Sequence, residues 1–184
     1  VVFVHNYNVS PAEHIIPAAD VSEQISMAGK EASGTSNMKF MMNGALTLGT
    51  LDGANVEILE AVGDDNAYIF GATEDELPGL RESYDPVWHY ENVPGLKRVL
   101  DAFTDGTLDD NGSGWFADLR RSLLEPSYEP ADVYYVLGDF ASYRETKDAM
   151  AAGYADTRAW QRKAWVNITR SGRFSSDRTI SDYA

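Results

Sequence analysis

The chain has 184 residues, 43% of them hydrophobic and 24% charged, which is the composition of an ordinary globular domain. Its 15 Lys and Arg residues against 29 Asp and Glu residues give a formal net charge of −14, which argues against nucleic acid or an anionic membrane as the main partner. The lack of cysteine excludes disulfides, thiolate metal sites and cysteine nucleophiles, and neither a membrane-spanning apolar run nor a signal-peptide pattern is present.

The chain opens on an apolar run, and residues 1–5 predict a strand buried on both faces. Such a strand needs neighbours on both sides, so its position suggests that the chain was cut from a larger protein or that its partners lie elsewhere. A short helix is expected to begin at Ser10-Pro11, because proline suits a first helical turn, and to end at Pro17. Residues 20–34 are polar and interrupted by glycine.

The next segments predict alternating helices and strands. A helix is expected over residues 37–43, with Thr35 or Ser36 as its N-cap and Gly44 ending it. Residues 45–50 predict a second buried strand and residues 67–70 a third. Between them, a helix is expected to begin at Asp52 or Gly53 and to end near Ala61. This order is typical of an α/β fold with a parallel sheet.

From residue 74 onward the pattern is helical. Residues 133–137 offer the one further stretch that could form a strand, and the polar loop over residues 105–114 should be exposed. Two apolar stripes recur at helical spacing. They are Leu96, Val99, Leu100 and Phe103, and Trp160, Ala164, Trp165 and Ile168. We expect Trp160 and Trp165 to belong to a core rather than to a sugar-stacking surface.

The segment from Lys30 to Gly44 has the densest chemistry. A Gly-Thr-Ser turn that enters a helix presents free backbone N–H groups and is a natural anion site. Lys39 lies about one turn into that helix, and its neighbours at positions 38 and 40–42 are apolar. A lysine in an apolar pocket can condense with an aldehyde, so an aldehyde cofactor that carries a phosphate would suit both features. A capped amphipathic helix with one exposed lysine remains the alternative.

A second polar segment, Asp52-Gly53-Ala54-Asn55, admits two interpretations. Its oxygen ligands could suggest a metal site, but it lacks the alternating ligands of a calcium loop. Capping of the following helix by Asp52 is the better interpretation. The three histidines are too far apart in sequence to support a metal pair or a catalytic triad.

Residues 31–39, Glu-Ala-Ser-Gly-Thr-Ser-Asn-Met-Lys, resemble the cofactor-site signature of the α-glucan (glycogen, starch or maltodextrin) phosphorylases. The similarity covers essentially the whole chain and is densest before residue 72. The other segments that resemble the family are residues 6–10, 16–26, 43–47, 51–57 and 172–180.

The resemblance implies a glycosyltransferase that cleaves α-1,4-glucan with inorganic phosphate and releases glucose 1-phosphate with retained configuration. Its cofactor is pyridoxal 5'-phosphate, whose phosphate group assists proton transfer. The implied fold is part of the C-terminal Rossmann-like domain of a two-domain GT-B glycosyltransferase. Residues 1–71 would be its α/β part with the cofactor lysine, and residues 72–184 would be mainly helical. The intact enzyme would be a cytoplasmic homodimer, while this piece alone would be inactive.

Residue roles follow by matching positions. Lys39 would be the Schiff-base lysine, and Thr35 and Ser36 would give backbone N–H groups to the cofactor phosphate. Tyr7 would line the cofactor site. Glu31 would bind sugar hydroxyls and act in catalysis with Lys39. The substrate contacts at the cleavage point would come from Glu31, Ala32, Ser33 and Gly34.

Two rival hypotheses remain open at this point. The chain could be a non-catalytic fragment or interaction module that only docks onto other chains. Alternatively, it could belong to a related glycosyltransferase without pyridoxal phosphate, which would share the sheet but would not need Lys39. Schiff-base absorbance separates the leading hypothesis from the module, because a module has no reason to hold an aldehyde.

Overall fold

Three short parallel strands form one sheet in the computed structural model, which describes residues 2–184. They are β1 (Val21–Gln24), β2 (Leu46–Gly49) and β3 (Tyr68–Ile69), side by side in chain order. Val21 lies opposite Leu46, and Leu48 lies opposite Tyr68. The central strand β2 is buried along its whole length. The predicted parallel α/β sheet is thus confirmed.

Helices connect and cover these strands. Short 3₁₀ turns lie at Ile16–Ala18, Asp64–Asn66 and Ser171–Phe174. No helix within residues 2–184 combines the length and the hydropathy that crossing a bilayer requires. The α-helices of the described residues are α1 (Val9–Ile15), α2 (Ser36–Met42), α3 (Asn55–Val62), α4 (Leu77–Ser83), α5 (Pro86–Asn92), α6 (Leu96–Asp101), α7 (Trp115–Leu124), α8 (Val136–Tyr154), α9 (Thr157–Arg170) and α10 (Ser176–Tyr183).

The described chain divides into two units. The first contains residues 2–70 and 146–184, and the second contains Gly71–Glu145. In the first unit, α2 and α3 each connect neighbouring parallel strands in the same direction, so right-handed crossovers place both helices on one face of the sheet. Met41 of α2 and Ile58 of α3 are fully buried there, and Val166 of α9 packs against them.

Gly44 ends α2, as expected, in a left-handed conformation with φ of +86°. A Cβ atom at this position would lie 3.1 Å from Cδ1 of Ile168, so the missing side chain also lets α9 approach closely. The predicted helix start and stop therefore agree with α2 to within one residue.

The second unit has its own core of leucines. Leu96 and Leu100 of α6 are buried against Leu124 of α7 and Leu137 of α8. The predicted stripe is confirmed for Leu96 and Leu100, while Val99 is 40% exposed. The loop over residues 105–114 is mostly exposed, as expected.

Residues 2–5 are not a strand, so the prediction of a strand over residues 1–5 is wrong for them, and Val1 lies outside the described residues. Val2 and Phe3 are 87% and 80% exposed. Residues 133–137 also form no strand. The Asp132 carboxylate accepts hydrogen bonds from the N–H groups of Val136 and Leu137 and thereby begins α8.

Strand β1 lies in the segment whose polar pattern gave no strand signal. Among the described residues β1 pairs with β2 alone, and of its own residues only Ser22 is fully buried, so its sequence carries no apolar alternation. Trp160 is buried and stacks on Tyr68, whereas Trp165 is 66% exposed, so the core prediction fails for Trp165.

Candidate functional site

Two connections leave the same edge of the sheet. Residues 25–35, here called the signature loop, follow the carboxyl end of β1 and enter α2, while residues 50–54 follow the carboxyl end of β2 and enter α3. Because β1 and β2 are parallel neighbours, these connections lie beside each other. The carboxyl edge of a parallel sheet is also where α/β proteins bind their ligands.

Asp52 holds the middle of the signature loop. Its carboxylate is 4% exposed. One oxygen, Oδ1, accepts the N–H of Gly29 at 2.9 Å, and the other, Oδ2, accepts the N–H of Glu31 at 2.8 Å. Oδ1 also accepts the N–H of Gly53 at 3.0 Å. Several charge-assisted hydrogen bonds compensate for the burial of this anion and fix the backbone on either side of Lys30.

Three further bonds tie down the two ends of the loop. The Thr50 hydroxyl donates to the carbonyl oxygen of Ser26 at 2.6 Å, near the start. The N–H of Ala54 donates to the carbonyl oxygen of Ser33 at 2.7 Å, near the end. Asn37 reaches the same carbonyl through Nδ2 at 3.4 Å. The loop is therefore held by the 50–54 connection and by the start of α2.

A buried amide pair joins the two helix starts. Nδ2 of Asn37 in α2 donates to Oδ1 of Asn55 in α3 at 3.1 Å, and Nδ2 of Asn55 donates to the carbonyl oxygen of Thr50 at 3.0 Å. Both asparagine side chains are 2% exposed. Satisfied buried amides of this kind fix one arrangement of the surrounding backbone.

Of the residues predicted to contact sugar, Glu31, Ala32 and Ser33 are exposed and Gly34 is half-buried. Within residues 2–184 no hydrogen-bond partner is seen for the Glu31 carboxylate. Glu31 thus has a fixed backbone N–H and a side chain that is open to a ligand, which is the arrangement a sugar-binding carboxylate needs.

At the start of α2, Thr35 occupies the predicted N-cap position, but its side chain makes no capping hydrogen bond. The Ser36 hydroxyl lies 3.5 Å from Nε2 of Gln24 at the end of β1. Among the described residues no acceptor is seen for the N–H groups of Ser36 and Asn37. These two donors remain open to an anion, although α2 has only seven residues.

Lys39 is exposed, so the apolar pocket expected around it is not present within the described chain. Helical geometry gives the reason. Asn37 and Met41, both buried, mark the inner face of α2, and position 39 lies midway between them on the opposite face. The apolar neighbours Met41 and Met42 divide between core and surface, with 0% and 56% exposure.

Tyr7 lies in the segment before α1 and is 56% exposed. No hydrogen bond or ring contact to the signature loop or to Lys39 is seen for it in the described part of the chain. Residues 31–36 and Lys39 are neighbours in the sequence and lie on the signature loop and in α2, whereas no contact among the described residues joins Tyr7 to them.

The helix-capping interpretation of Asp52 is wrong. The carboxylate faces back to the signature loop, and α3 begins at Asn55 after Ala54 without a side-chain cap. A metal interpretation gains no support either, because the oxygens of Asp52 already accept N–H groups. Within residues 2–184 there is no cluster of three or more side chains that could hold a metal ion.

Sequence reasoning missed the buried polar residues Thr50, Asp52, Asn37 and Asn55 as organisers of the site. One signal could have found them. A run of polar side chains directly after a fully apolar strand marks the carboxyl edge of a parallel sheet, where they would meet the neighbouring loop.

Comparison with known proteins identifies the family. The sequence profile of the carbohydrate phosphorylases matches residues 1–184. The chain belongs to the carbohydrate phosphorylase family. Its relatives include the glycogen phosphorylase of Haemophilus influenzae, 50% identical over the whole chain and 22% of the relative's length. The human liver form of glycogen phosphorylase is 45% identical over the whole chain and 21% of the relative's length.

Membership in this family agrees with the expected fold class, an α/β chain with a parallel sheet in its first third and helices after it. The chain spans about a fifth of the length of the curated relatives that it matches. The name glycogen phosphorylase belongs to each of these relatives as a whole protein, and this chain aligns with one segment of it.

Proposed function

We propose that the chain is part of the C-terminal domain of a GT-B phosphorylase that cleaves α-1,4-glucan with inorganic phosphate, with retention, to give glucose 1-phosphate. The observation that carries the proposal is the position of residues 31–36 and Lys39. They occupy one rigidly held loop and helix start at the carboxyl edge of the sheet, in a chain that matches the family from end to end. The intact enzyme would be a cytoplasmic homodimer, as the family resemblance implies.

In this proposal Glu31 accepts hydrogen bonds from hydroxyl groups of the glucosyl unit at the cleavage point. Its carboxylate is free of protein partners among the described residues, and a charged acceptor binds hydroxyl donors more strongly than a neutral one. Ala32, Ser33 and Gly34 would continue this surface. The anchored backbone would hold the acceptor in place before the sugar arrives, which lowers the entropic cost of binding.

The residues of α2 fit the phosphate and the aldehyde of pyridoxal 5'-phosphate. The open N–H groups at the helix start would bind the phosphate close to Thr35 and Ser36, and the Lys39 amine, without a protein partner among the described residues, would hold the cofactor covalently. When bound, the cofactor supplies a phosphate group that exchanges a proton with the substrate phosphate. Tyr7 is included in the proposal as a lining residue.

Lys39 is exposed in this chain, and in this proposal other segments of the intact enzyme cover it. We therefore expect phosphorolysis from the whole enzyme and none from these 184 residues alone. Measurable glucose 1-phosphate release by the isolated chain would contradict that assignment.

Mapping of the modified lysine tests the cofactor site. The full-length protein is reduced with borohydride, digested, and searched for a pyridoxyl-labelled peptide. We expect the label on Lys39, with loss of the label and of the bound-cofactor absorbance in Lys39→Ala. Lys30→Ala is the matched control, because Lys30 is also exposed and lies in the same segment.

A label on Lys30 or on any other lysine would refute the assignment of Lys39. Complete absence of label and of cofactor absorbance from the purified protein would favour a glycosyltransferase without pyridoxal phosphate, or a module without catalytic function.

A further inference from the structure

The buried carboxylate of Asp52 bonds two backbone groups of the signature loop. It is the one side chain on the 50–54 connection that bonds the backbone N–H of Glu31, at 2.8 Å, and its second oxygen holds Gly29 at 2.9 Å. Of these two residues, Glu31 is the one whose own carboxylate is exposed at the candidate sugar site. The two carboxylates therefore have different tasks, one buried and saturated, the other exposed and open.

We propose that Asp52 is a positioning residue for sugar recognition: it fixes the backbone of Glu31 so that the Glu31 carboxylate points at the hydroxyls of the glucosyl unit. This inference rests on the proposed function. Asp52 does not touch the sugar itself. Its effect travels through a single peptide group, because the N–H that it accepts belongs to the same residue whose side chain would bind substrate.

Two observations separate this role from general support of the fold. First, the neighbouring anchors hold other parts of the loop: Thr50 bonds Ser26, and Ala54 bonds Ser33. Second, Gly53 leaves room for the Glu31 side chain, because a Cβ atom added at position 53 would lie only 3.0 Å from Cγ of Glu31. The backbone of Glu31 is thus fixed by Asp52, and its side chain passes close to the bare Cα of Gly53.

The substitution Asp52→Asn tests the bond to Glu31 with almost no change of volume. An amide can keep one oxygen toward Gly29 and Gly53, because both of these N–H groups point at Oδ1. Its NH₂ group then replaces Oδ2 and faces the N–H of Glu31, donor against donor. Since hydrogen bonds to charged groups are among the stronger ones, we expect kcat/KM for maltoheptaose phosphorolysis in the full-length protein to fall by roughly tenfold to a hundredfold.

A double-mutant cycle with Glu31→Gln distinguishes positioning from a structural role. If Asp52 acts through the Glu31 carboxylate, Asp52→Asn should be costly in the wild-type background and cost less than about threefold in the Glu31→Gln background. Equal losses in both backgrounds would overturn the positioning role while leaving Glu31 as a sugar ligand. If Glu31→Gln itself leaves kcat/KM unchanged, the proposed function of Glu31 fails, and the positioning role fails with it.

Hydrogen exchange gives a readout that is independent of turnover. The Glu31 amide should exchange faster in Asp52→Asn, while the Ala54 amide, which donates to the carbonyl oxygen of Ser33 at the other end of the loop, should change little. Asn167→Ala is the stability control: Asn167 is fully buried and donates to Asn66 and Lys163 in the same unit, away from the signature loop. Unchanged exchange at Glu31 in Asp52→Asn, or the same loss of kcat/KM in the control, would overturn the inference.

Discussion

Gly53 is a single residue that sets how closely the signature loop approaches α3. It has φ of +52°, and a Cβ atom there would lie 2.5 Å from the carbonyl oxygen of Ser33. The same carbonyl accepts the N–H of Ala54 at 2.7 Å, so the contact leaves no room for a methyl group. A side chain at position 53 must displace either the loop or the start of α3.

We therefore predict that Gly53→Ala damages both stability and activity. The left-handed conformation costs an alanine about 1–2 kcal/mol, and the displaced backbone of Ser33 adds about 1–3 kcal/mol to the loss in the free energy of unfolding. Urea unfolding of the full-length protein measures the sum, and phosphorolysis kinetics measure the effect on the sugar site.

Gly63→Ala is the control for this prediction. Gly63 ends α3 with φ of +80°, but nothing lies within 4 Å of a Cβ atom added there. The control should show the conformational cost without loss of activity. Equal effects of the two substitutions on stability and on kcat/KM would show that Ser33 adjusts freely and that Gly53 matters only for its backbone angle.

At the residue scale, the sequence predicts which side chains form the candidate site but not how they are held. A turn that enters a helix and the family resemblance predict Glu31, Ser36 and Lys39, and their roles stay predictions. Asp52 was interpreted as a cap, because a cap is the commonest use of aspartate before a helix. Two of its partners, Gly29 and Glu31, lie more than twenty residues earlier in the chain, and local patterns do not report such long-range bonds.

At the scale of elements, apolar content decided which strands could be predicted. Strand β2 has neighbours on both sides and is wholly buried, so the sequence of residues 46–49 clearly predicts a buried strand. Strand β1 is polar, and in the described part of the chain its only strand partner is β2, so backbone pairing contributes more to its position than side-chain burial. Helix α2 was predicted well because both of its ends carry local signals, a polar turn at the start and a glycine at the end.

The start of helix α8 shows how buried polar groups organise the second unit. The Tyr84 hydroxyl donates a short hydrogen bond to Asp132, and burial beside this carboxylate raises the pKa of Tyr84 far above its usual value. Asp139, in the first turn of α8, accepts the N–H of Ala72 at 3.0 Å. Burial raises the pKa of Asp139 above its ordinary value of 3.8, and the nearby charges of Asp132 and Glu76 add to the increase.

A raised carboxyl pKa predicts a loss of stability as pH rises. Below 3.8, Asp139 is protonated in both the folded and unfolded states. Between 3.8 and the raised pKa the folded state binds more protons, so the contribution of Asp139 to stability declines as pH increases and stays low above the folded pKa. In Asp139→Asn, which keeps an acceptor for Ala72, we expect the gain in the free energy of unfolding over wild type to grow through this pH range.

Asp101→Asn is the opposite control in the same unit. Lys97, Tyr90 and Arg120 lower the pKa of Asp101 to about 2, so its ionised form stabilises the fold above 3.8 and this stabilisation is lost as pH falls toward 2. Unfolding curves at several pH values should therefore show differences of opposite sign for the two variants. A constant difference between Asp139→Asn and wild type from pH 3 to pH 7 would contradict the assigned titration.

At the scale of the whole chain, the −14 net charge has a consequence of its own. Acidic residues outnumber basic ones by about two to one, so many carboxylates have no cation to pair with. Mutual repulsion of like charges destabilises a compact state, and dissolved salt screens it. The Debye length falls from about 30 Å at 0.01 M ionic strength to about 8 Å at 0.15 M. Most distances between surface charges on a protein of this size fall between these two lengths, so the repulsion is screened over this range of salt.

We therefore expect the thermal unfolding midpoint of the 184-residue chain to rise by about 2–4 °C over this range of sodium chloride, equivalent to about 1 kcal/mol, and then to level off. Replacing the exposed residues Glu13, Glu74 and Glu129 by Gln removes three negative charges and should reduce the salt response in proportion. A midpoint that keeps rising linearly with salt, equally in both proteins, would point to exclusion of salt from the surface instead of screening. A midpoint that falls with salt would show that the attractive ion pairs outweigh the repulsion.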